Sequence, residues 1–312
     1  MTEAAVSGLA HTPPGFRSGY ISLIGKPNAG KSTLLNRLVA RKLAAMSRRP
    51  QTTRNKITGV CHLEEGQLIL LDTPGIHEGK TALNRLMVET SVKTLSDADV
   101  LLVLITADTG WTAEDALVMD HLRGVDTPKI LAINKIDRVP KPALLGLIDS
   151  LPEKEAFREI VPCSALTGDG LGLLKRVLLK QVPEGPAYFP EGMVTDCPEE
   201  FLAAEIIREK IIKLTHLELP YAVAVVVESM QPGRRPGVTV IQATVVVDKP
   251  SQKKIVIGEG GARLKTIGAQ ARQELERRLG NRIYLHLHVK VKSGWRDDLR
   301  SLRRFGYIHD SY

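Results

Sequence analysis

Gly25-Lys26-Pro27-Asn28-Ala29-Gly30-Lys31-Ser32 fits the pattern G-x-x-x-x-G-K-[ST] and decides how the rest of the chain is read. The apolar run Tyr20-Ile21-Ser22-Leu23-Ile24 leads into it, and a helical pattern through Leu34, Leu35 and Leu38 follows it. Strand, glycine turn and helix in that order open a doubly wound α/β sheet. Gly25 and Gly30 allow turns that side chains would block. Successive N–H groups of Asn28, Ala29, Gly30, Lys31, Ser32 and Thr33 can then meet phosphate oxygens at the positive end of a helix. Lys31 brings a point charge to that place, and the Ser32 hydroxyl is a candidate Mg²⁺ ligand.

Three further motifs follow at the ends of apolar runs. The loop Arg48-Arg49-Pro50-Gln51-Thr52-Thr53-Arg54-Asn55 can carry a hydroxyl to the metal, with Thr53 the first choice and Thr52 the second. The strand Gln67–Leu71 ends in Asp72-Thr73-Pro74-Gly75, where Asp72 can hold Mg²⁺ through a water and Gly75 can offer its N–H to a terminal phosphate. The buried run Ala98–Ile105 suits a parallel sheet, and a helix is expected around Glu114–Leu122. The strand Lys129–Ile133 ends in Asn134-Lys135-Ile136-Asp137. An aspartate such as Asp137 can accept two hydrogen bonds from guanine, whereas adenine would leave the carboxylate unpaired, a penalty that can reach ~10⁴-fold in discrimination. Lys135 can lie along the base, and Asn134 can tie this loop to the first. The last run, Ile160–Cys163, leads to Ser164-Ala165-Leu166, where the Ala165 N–H can reach the guanine O6. These motifs point to GTP or GDP with Mg²⁺, with Lys31, Thr53 and Gly75 as the groups closest to hydrolysis.

With 312 residues, 43% hydrophobic and 25% charged, the chain has the composition of a soluble globular protein of two domains. Its three cysteines, Cys61, Cys163 and Cys197, have no C-x-x-C spacing and suit a reducing compartment. No run is long and apolar enough to span a membrane, and residues 1–17 read as a loose tail without a signal-peptide core. The net charge is +8, and between Lys249 and Arg304 stand 15 Lys and Arg against 5 Asp and Glu, so that stretch carries the whole surplus. Such a concentration fits a nucleic acid, although charge alone also describes an ordinary solvated face.

The Pro-rich stretch 183–198 reads as a semi-rigid linker between a nucleotide-binding domain, 18–182, and a second domain, 199–295, followed by a tail, 296–312. In the second domain Phe201, Ile206, Ile207, Ile211 and Leu214 give a helical pattern. Two β-branched runs, Tyr221–Glu228 and Val238–Asp248, then form a hairpin, a helix covers about Ala262–Leu279, and Arg282–Val291 is a strand. The order is α-β-β-α-β. Ile255-Val256-Ile257-Gly258-Glu259-Gly260-Gly261 carries a G-x-x-G, the turn that clamps a nucleic-acid backbone in KH domains. Lys253, Lys254, Arg263 and Lys265 flank it as candidate phosphate contacts, with Ile255 and Ile257 as a floor for bases. Arg277 and Arg278 read as solvated. Trp295 either stacks on a base or caps the domain.

Taken together, Gly25–Ser32, Pro50-Gln51-Thr52-Thr53-Arg54, Asp72–Gly75, Asn134–Asp137 and the Gly258–Gly261 loop with Trp295 resemble the Era family of bacterial GTPases. The resemblance covers about 18–310. It implies a P-loop GTPase domain followed by an α+β type II KH domain, and binding near the 3′ end of 16S rRNA during assembly of the small, 30S ribosomal subunit; slow intrinsic turnover is expected from Ile76, whose side chain cannot hydrogen-bond the attacking water. It also implies a monomer in the cytoplasm with some peripheral membrane contact. Ile76 stands where Ras-like GTPases carry a water-orienting Gln. In a subset of GTPases with Asn at the place of Asn28, K⁺ supplies charge near the phosphates; otherwise Asn28 only supports the turn. Family members commonly carry Lys where this chain has Glu259, which shifts the load of RNA binding to Lys253, Lys254, Arg263 and Lys265. The alternative to a GTP-switched RNA binder is a constitutive KH module with a mainly structural G domain, for which Ile76 is the motive. A lipid-recruited GTPase is weaker still, because no lipidation motif or amphipathic helix supports it.

Overall fold

The computed structural model describes residues 12–47, 49, 52–75, 81–215 and 219–308. Most of the expected N-terminal tail, Arg48, Pro50, Gln51 and Ile76 lie outside the described residues. The described parts group into two units, one from Met1–Ala44, Thr53–Glu78 and Met87–Asp196, the other from Ala45–Thr52, Gly79–Leu86 and Cys197–Tyr312. Two short segments, one ending just before Thr53 and one following the Gly75 turn, thus belong with the C-terminal unit.

The first unit is a six-stranded sheet of β1 (Arg17–Ile24), β2 (Ile57–Leu63), β3 (Gly66–Asp72), β4 (Val100–Thr106), β5 (Lys129–Asn134) and β6 (Glu159–Pro162). Their spatial order is β2-β3-β1-β4-β5-β6. β2 pairs antiparallel with β3, and all other neighbours are parallel. Helices α1 (Lys31–Leu38), α2 (Ala82–Ser96), α3 (Ala113–Leu122), α4 (Lys141–Ser150) and α5 (Leu171–Gln181) connect them. Every residue of β3 and of β4 is buried, as their uninterrupted apolar runs require of strands covered on both faces. On one face Val118, Met119 and Leu122 of α3 pack into a cluster with Val103 and Ile105 of β4 and Leu131 and Ile133 of β5. The strand order reverses at the β1/β4 pair, so the loops after β1, β3, β5 and β6 open on one end of the sheet.

Of the stretch expected as a linker, 183–198, the residues up to Asp196 are part of this unit instead. Ser18 N–H donates to the Pro183 carbonyl at 3.1 Å, and the Gln67 side-chain carbonyl accepts from Tyr188 and Phe189 N–H at 2.9 and 3.1 Å. Tyr188 stacks on Tyr20, centroids 5.5 Å apart, and Val60 of β2 donates to the Val194 carbonyl at 2.8 Å. β2 is an edge strand, and this strap satisfies backbone groups that an edge leaves open.

The second unit has α6 (Glu199–Leu214), α7 (Leu219–Ala222), β7 (Val223–Pro232), β8 (Val238–Val247), α8 (Pro250–Ile257), α9 (Ala262–Leu279), β9 (Arg282–Val291) and α10 (Leu299–Arg304). Its sheet runs β7-β8-β9, antiparallel then parallel. The expected order α-β-β-α-β needs two corrections: a short helix, α7, takes Tyr221 and Ala222 from the start of the first expected strand, and a further helix, α8, precedes the glycine turn. Pro250 opens its first turn, and the Gln252 side-chain carbonyl accepts from Asp248 and Lys249 N–H at 2.9 and 3.0 Å. Strand alternation divides the sheet: Val223, Val225, Ile241, Ala243, Val245, Val247, Ile283 and Val289 enter one core with Ile207 and Ile211 of α6 and Ile267, Ala271 and Leu275 of α9.

Residues 296–308 are not a tail. Asp298 caps α10 by accepting from Arg300 and Ser301 N–H, and Leu302 is fully buried. Trp295, also fully buried, donates its ring N–H to the Ala222 carbonyl at 3.1 Å and packs against Phe305 and Tyr307. Of its two sequence readings, packing is the one the structure supports.

Candidate functional site

The loop between β1 and α1 winds through left-handed backbone at Asn28 (φ 62°) and Gly30 (φ 100°). A Cβ on Gly30 would lie 2.2 Å from Asn134 Nδ2, so this position needs glycine for contact as well as for φ. Asn28 is a residue type that tolerates left-handed backbone, which fits a turn-supporting role. Lys31 is buried, and its ammonium donates to the carbonyls of Gly25 at 2.7 Å and Lys26 at 3.1 Å, holding it inside the loop's curve. Burial pulls its pKa down to about 8, against an opposing pull from Asp72. A buried cation near neutrality with its desolvation cost already met is prepared for an anionic ligand.

Ser32, Thr53 and Asp72 converge. Ser32 Oγ and Thr53 Oγ1 are 2.7 Å apart, and Thr53 Oγ1 donates to Asp72 Oδ2 at 3.2 Å. Two hydroxyls and a carboxylate form an all-oxygen set, the chemistry that a hard divalent cation such as Mg²⁺ takes. Thr52, the second choice, points elsewhere: its hydroxyl donates to the Arg49 carbonyl at 2.7 Å. Thr33 stands half-exposed in the first turn of α1. Thr73 donates to the Leu23 carbonyl at 3.0 Å, and the Pro74 carbonyl accepts from Ser91 at 2.8 Å, so both fix the turn that presents Gly75.

At the far side Asn134 links three motifs. It donates to the Ala29 carbonyl at 2.9 Å and accepts from Lys135 N–H at 2.8 Å and Ala165 N–H at 3.0 Å. The Ala165 N–H expected at a guanine oxygen is therefore engaged with Asn134 in this structure. Ser164, fully buried, donates to Asp137 Oδ1 at 2.6 Å and fixes its carboxylate. Leu166 is exposed beside it. A cavity of about 470 Å³ lies between Asn28 and Lys135, bordered by Thr106, Thr109 and Thr112.

One residue of the loop escaped the sequence reading. Lys26 is buried, and its ammonium pairs with Asp115 at 2.8 Å while donating to Thr112 at 2.9 Å and Thr109 at 3.2 Å. Asp115 also caps α3, accepting from Thr112 N–H at 2.9 Å. The Thr112-x-x-Asp115 spacing is a capping-box signal that marks this anchor in the sequence.

In the second unit Gly258, Gly260 and Gly261 have φ of 73°, 52° and 81°, and a Cβ on Gly260 or Gly261 would meet nothing within 4 Å. The turn at the start of α9 is open to solvent. Lys254, Glu259, Arg263 and Lys265 are exposed around it, and Lys253 is half-buried on α8. Ile255 is exposed, whereas Ile257 packs against the unit's core, so the two do not form one floor. Arg263 donates to the Ile255 carbonyl and braces the loop. Arg278 is not solvated but pairs with Glu199 of α6 at 2.8 Å.

The segment ending at Thr52 is gripped within this unit. Arg208 of α6 is fully buried, pairs with Glu205 and donates to the Thr52 carbonyl. Glu209, fully buried, accepts from Met46 N–H at 2.9 Å. Lys210 bonds Glu209 at 3.2 Å and pairs with Glu274 of α9. The segment after Gly75 is held likewise, with Ala82 N–H donating to Asp297 Oδ1 at 2.8 Å and Leu83 N–H to the Arg296 carbonyl at 2.9 Å.

A family described as 50S ribosome-binding GTPase matches residues 20–135, and a KH-domain family matches 218–296. GTPase Era of a Geobacter species is 47% identical over 292 residues, covering 94% of this chain and 98% of its own. GTPase Era of Syntrophus aciditrophicus is 48% identical over 292 residues, with 94% and 95% covered. This chain belongs to the Era GTPase family. Its architecture agrees: a crystal structure of an Aquifex aeolicus Era variant bound to GDP·AlF₄⁻ superimposes with a TM-score of 0.91 at 44% identity, covering 94% of this chain and 99% of that one. A second Era structure, in complex with MgGDPNP and nucleotides 1506–1542 of 16S ribosomal RNA, gives the same score and identity. As an Era-family member the chain is a GTPase, a P-loop sheet joined to a KH domain.

Proposed function

We propose that this GTPase binds single-stranded RNA at the Gly258–Gly261 turn and that its nucleotide state sets the strength of that binding. The turn carries the reading: successive left-handed glycines, open to solvent at the start of a helix, with Lys254, Arg263 and Lys265 exposed around them. The Era structure with an rRNA segment supports the 3′ end of 16S rRNA as the target, and hence a role in assembly of the small subunit. Ser32, Thr53 and Asp72 are the residues we assign to Mg²⁺, which would neutralise charge on the β- and γ-phosphates. Lys31 and the Gly75 N–H face the transferred phosphate, Asp137 selects guanine, and K⁺ beside Asn28 would supply further charge. The boundaries we assign put the end of the nucleotide domain at Asp196, and the KH unit takes in α6 through α10 from Cys197 onward.

Coupling is favoured over a constitutive RNA module by where Thr53 stands in the chain. Thr53 meets Ser32 and Asp72, while the carbonyl of the preceding residue is held by Arg208. A metal that orders Thr53 therefore pulls on a backbone whose next carbonyl is fixed to α6. The RNA reading is tested by anisotropy with a short single-stranded RNA from the 3′ end of the small-subunit rRNA, at fixed salt. Gly260→Asp should abolish binding while leaving GDP binding intact; retention of RNA affinity in that variant would remove the turn as the binding site.

A further inference from the structure

We infer that the solvent face of the three-stranded sheet is a second single-stranded RNA surface, apart from the glycine turn. The inference rests on the RNA-binding reading and extends it. On β9 every second side chain, Arg282, Tyr284, His286, His288 and Lys290, is exposed, while Ile283 and Val289 between them enter the core, and Lys292 continues the exposed row. The helices α6, α8 and α9 lie on the core side, so this row faces away from them. It places three rings, Tyr284, His286 and His288, in the middle and cations at both ends, with no carboxylate among its members.

The rings are presented rather than packed away. Tyr284 is 59% exposed and meets His286 edge to face, centroids 4.5 Å apart. Neighbouring members of the row stand about 7 Å apart along the strand, and the edge-to-face contact props the Tyr284 ring so that a base can lie on its exposed side. Register carries the face across the sheet: Tyr284 lies beside Val240, His286 beside Gln242, His288 beside Thr244 and Lys290 beside Val246. Where α10 closes the far end, a cavity of about 290 Å³ has Val226, Val246 and Phe305 as apolar wall and His288, Lys290 and Arg304 as its polar rim. Lys292 reaches Asp298 at 3.3 Å, which leaves Lys290 and Arg304 as the cations there without an ion-pair partner among the described residues. The one carboxylate lining this cavity is Glu228, at the bulge of β7, the opposite edge strand.

An extended strand of exposed rings flanked by cations is how sequence-tolerant single-strand binding is built: bases stack on aromatics, and phosphates follow the charge. A protein partner would ask for a broad apolar patch, and this face has rings and cations in its place. An RNA long enough to leave the glycine turn would find on β9 a continuation of the same unit.

The test uses the full chain and a single-stranded RNA of about twenty nucleotides carrying 5-iodouridine at scattered positions. Ultraviolet crosslinking followed by peptide mapping should place adducts on Tyr284 or His286 as well as near the glycine turn. Tyr284→Ala with His286→Ala should weaken binding of that RNA by ~10-fold or more, and Tyr284→Phe, which keeps the ring, should restore most of it. Lys290→Gln with Arg304→Gln should lower the salt slope of log K by about 1.4. These side chains are exposed, so an unchanged melting temperature accompanies a true surface effect. Crosslinks confined to 257–265, with unchanged affinity in the double variants and loss in Gly260→Asp, would overturn the second surface and leave the first standing. Failure of the unaltered chain to bind RNA would overturn both. Binding to vesicles with 30% phosphatidylglycerol but not to RNA, lost in Lys290→Gln with Arg304→Gln, would reassign the face to lipid.

Discussion

At the residue scale the nucleotide site is a set of side chains whose partners are already chosen. Lys31 shows the consequence. Its pKa stands at about 8 without ligand because burial disfavours the charged form, and phosphates beside it would raise that value. Nucleotide affinity should then be full below pH 8 and decline as pH rises above it. Between pH 8 and 10 GDP binding should take up protons, which calorimetry in buffers of different ionisation enthalpy measures directly. Uptake should vanish in Lys31→Ala, where affinity falls by ~10- to 100-fold with the loss of charge-assisted bonds. Asp137→Ala should cost guanine affinity by at least ~100-fold and erase most discrimination against adenine nucleotides, measured by competition. The cysteines offer a cheaper check. Cys61 and Cys163 are buried, and burial pushes the Cys163 thiol up to about 12, whereas Cys197 is half-exposed. A thiol reagent should titrate one cysteine in the native protein and three after denaturation.

At the element scale, much of the fold was legible and some was not, for identifiable reasons. The strands bearing the nucleotide motifs were readable because parallel strands covered on both faces are continuous apolar runs, as in Gly66–Asp72. The helix Ala262–Leu279 and strand Arg282–Val291 were readable from their opposite periodicities. α8 was missed because Ile255-Val256-Ile257 is β-branched and suggests extension; the Pro250 and Gln252 cap that starts a helix there is a weaker signal. The strap 183–196 and α10 were missed because what orders them is remote: an edge strand in one case and Trp295 in the other. Lys26 was missed because its partner, Asp115, lies 89 residues away. The polar grip on Thr52 was also out of reach of periodicity. Arg208→Ala would leave Glu205 without its partner in a buried site and should destabilise the protein by ~3–5 kcal/mol, read by urea unfolding. Arg208→Met with Glu205→Leu should recover most of that stability. It should still remove the hold on the Thr52 carbonyl, so the double variant separates stability from coupling. Trp295→Ala should cost ~3–5 kcal/mol by cavity formation and the lost bond to Ala222.

At the scale of the whole molecule, the coupling we propose runs through two short segments that belong by sequence to the first unit and by packing to the second. One ends at Thr52, where Arg208 holds the carbonyl, and the next residue meets Ser32 and Asp72. The other follows the Gly75 turn and is held through Ala82 and Leu83 by Asp297 and Arg296. In that proposal, loss of a γ-phosphate releases the Thr53 and Gly75 motifs, while the Thr52 carbonyl stays held by Arg208 and the Ala82 and Leu83 N–H groups by Asp297 and Arg296. The Arg208–Glu205 and Lys210–Glu274 pairs then lie on the route from Thr52 to α9, whose first turn carries the glycines that we assign to RNA. The most direct test compares the affinity for the same single-stranded RNA with GDP, with a non-hydrolysable GTP analogue and without nucleotide, at one salt concentration. The account predicts tightest binding with the analogue, and loss of that difference in Arg208→Met with Glu205→Leu. Equal affinity in all three states of the unaltered protein would contradict it and leave a constitutive RNA-binding module beside a GTPase.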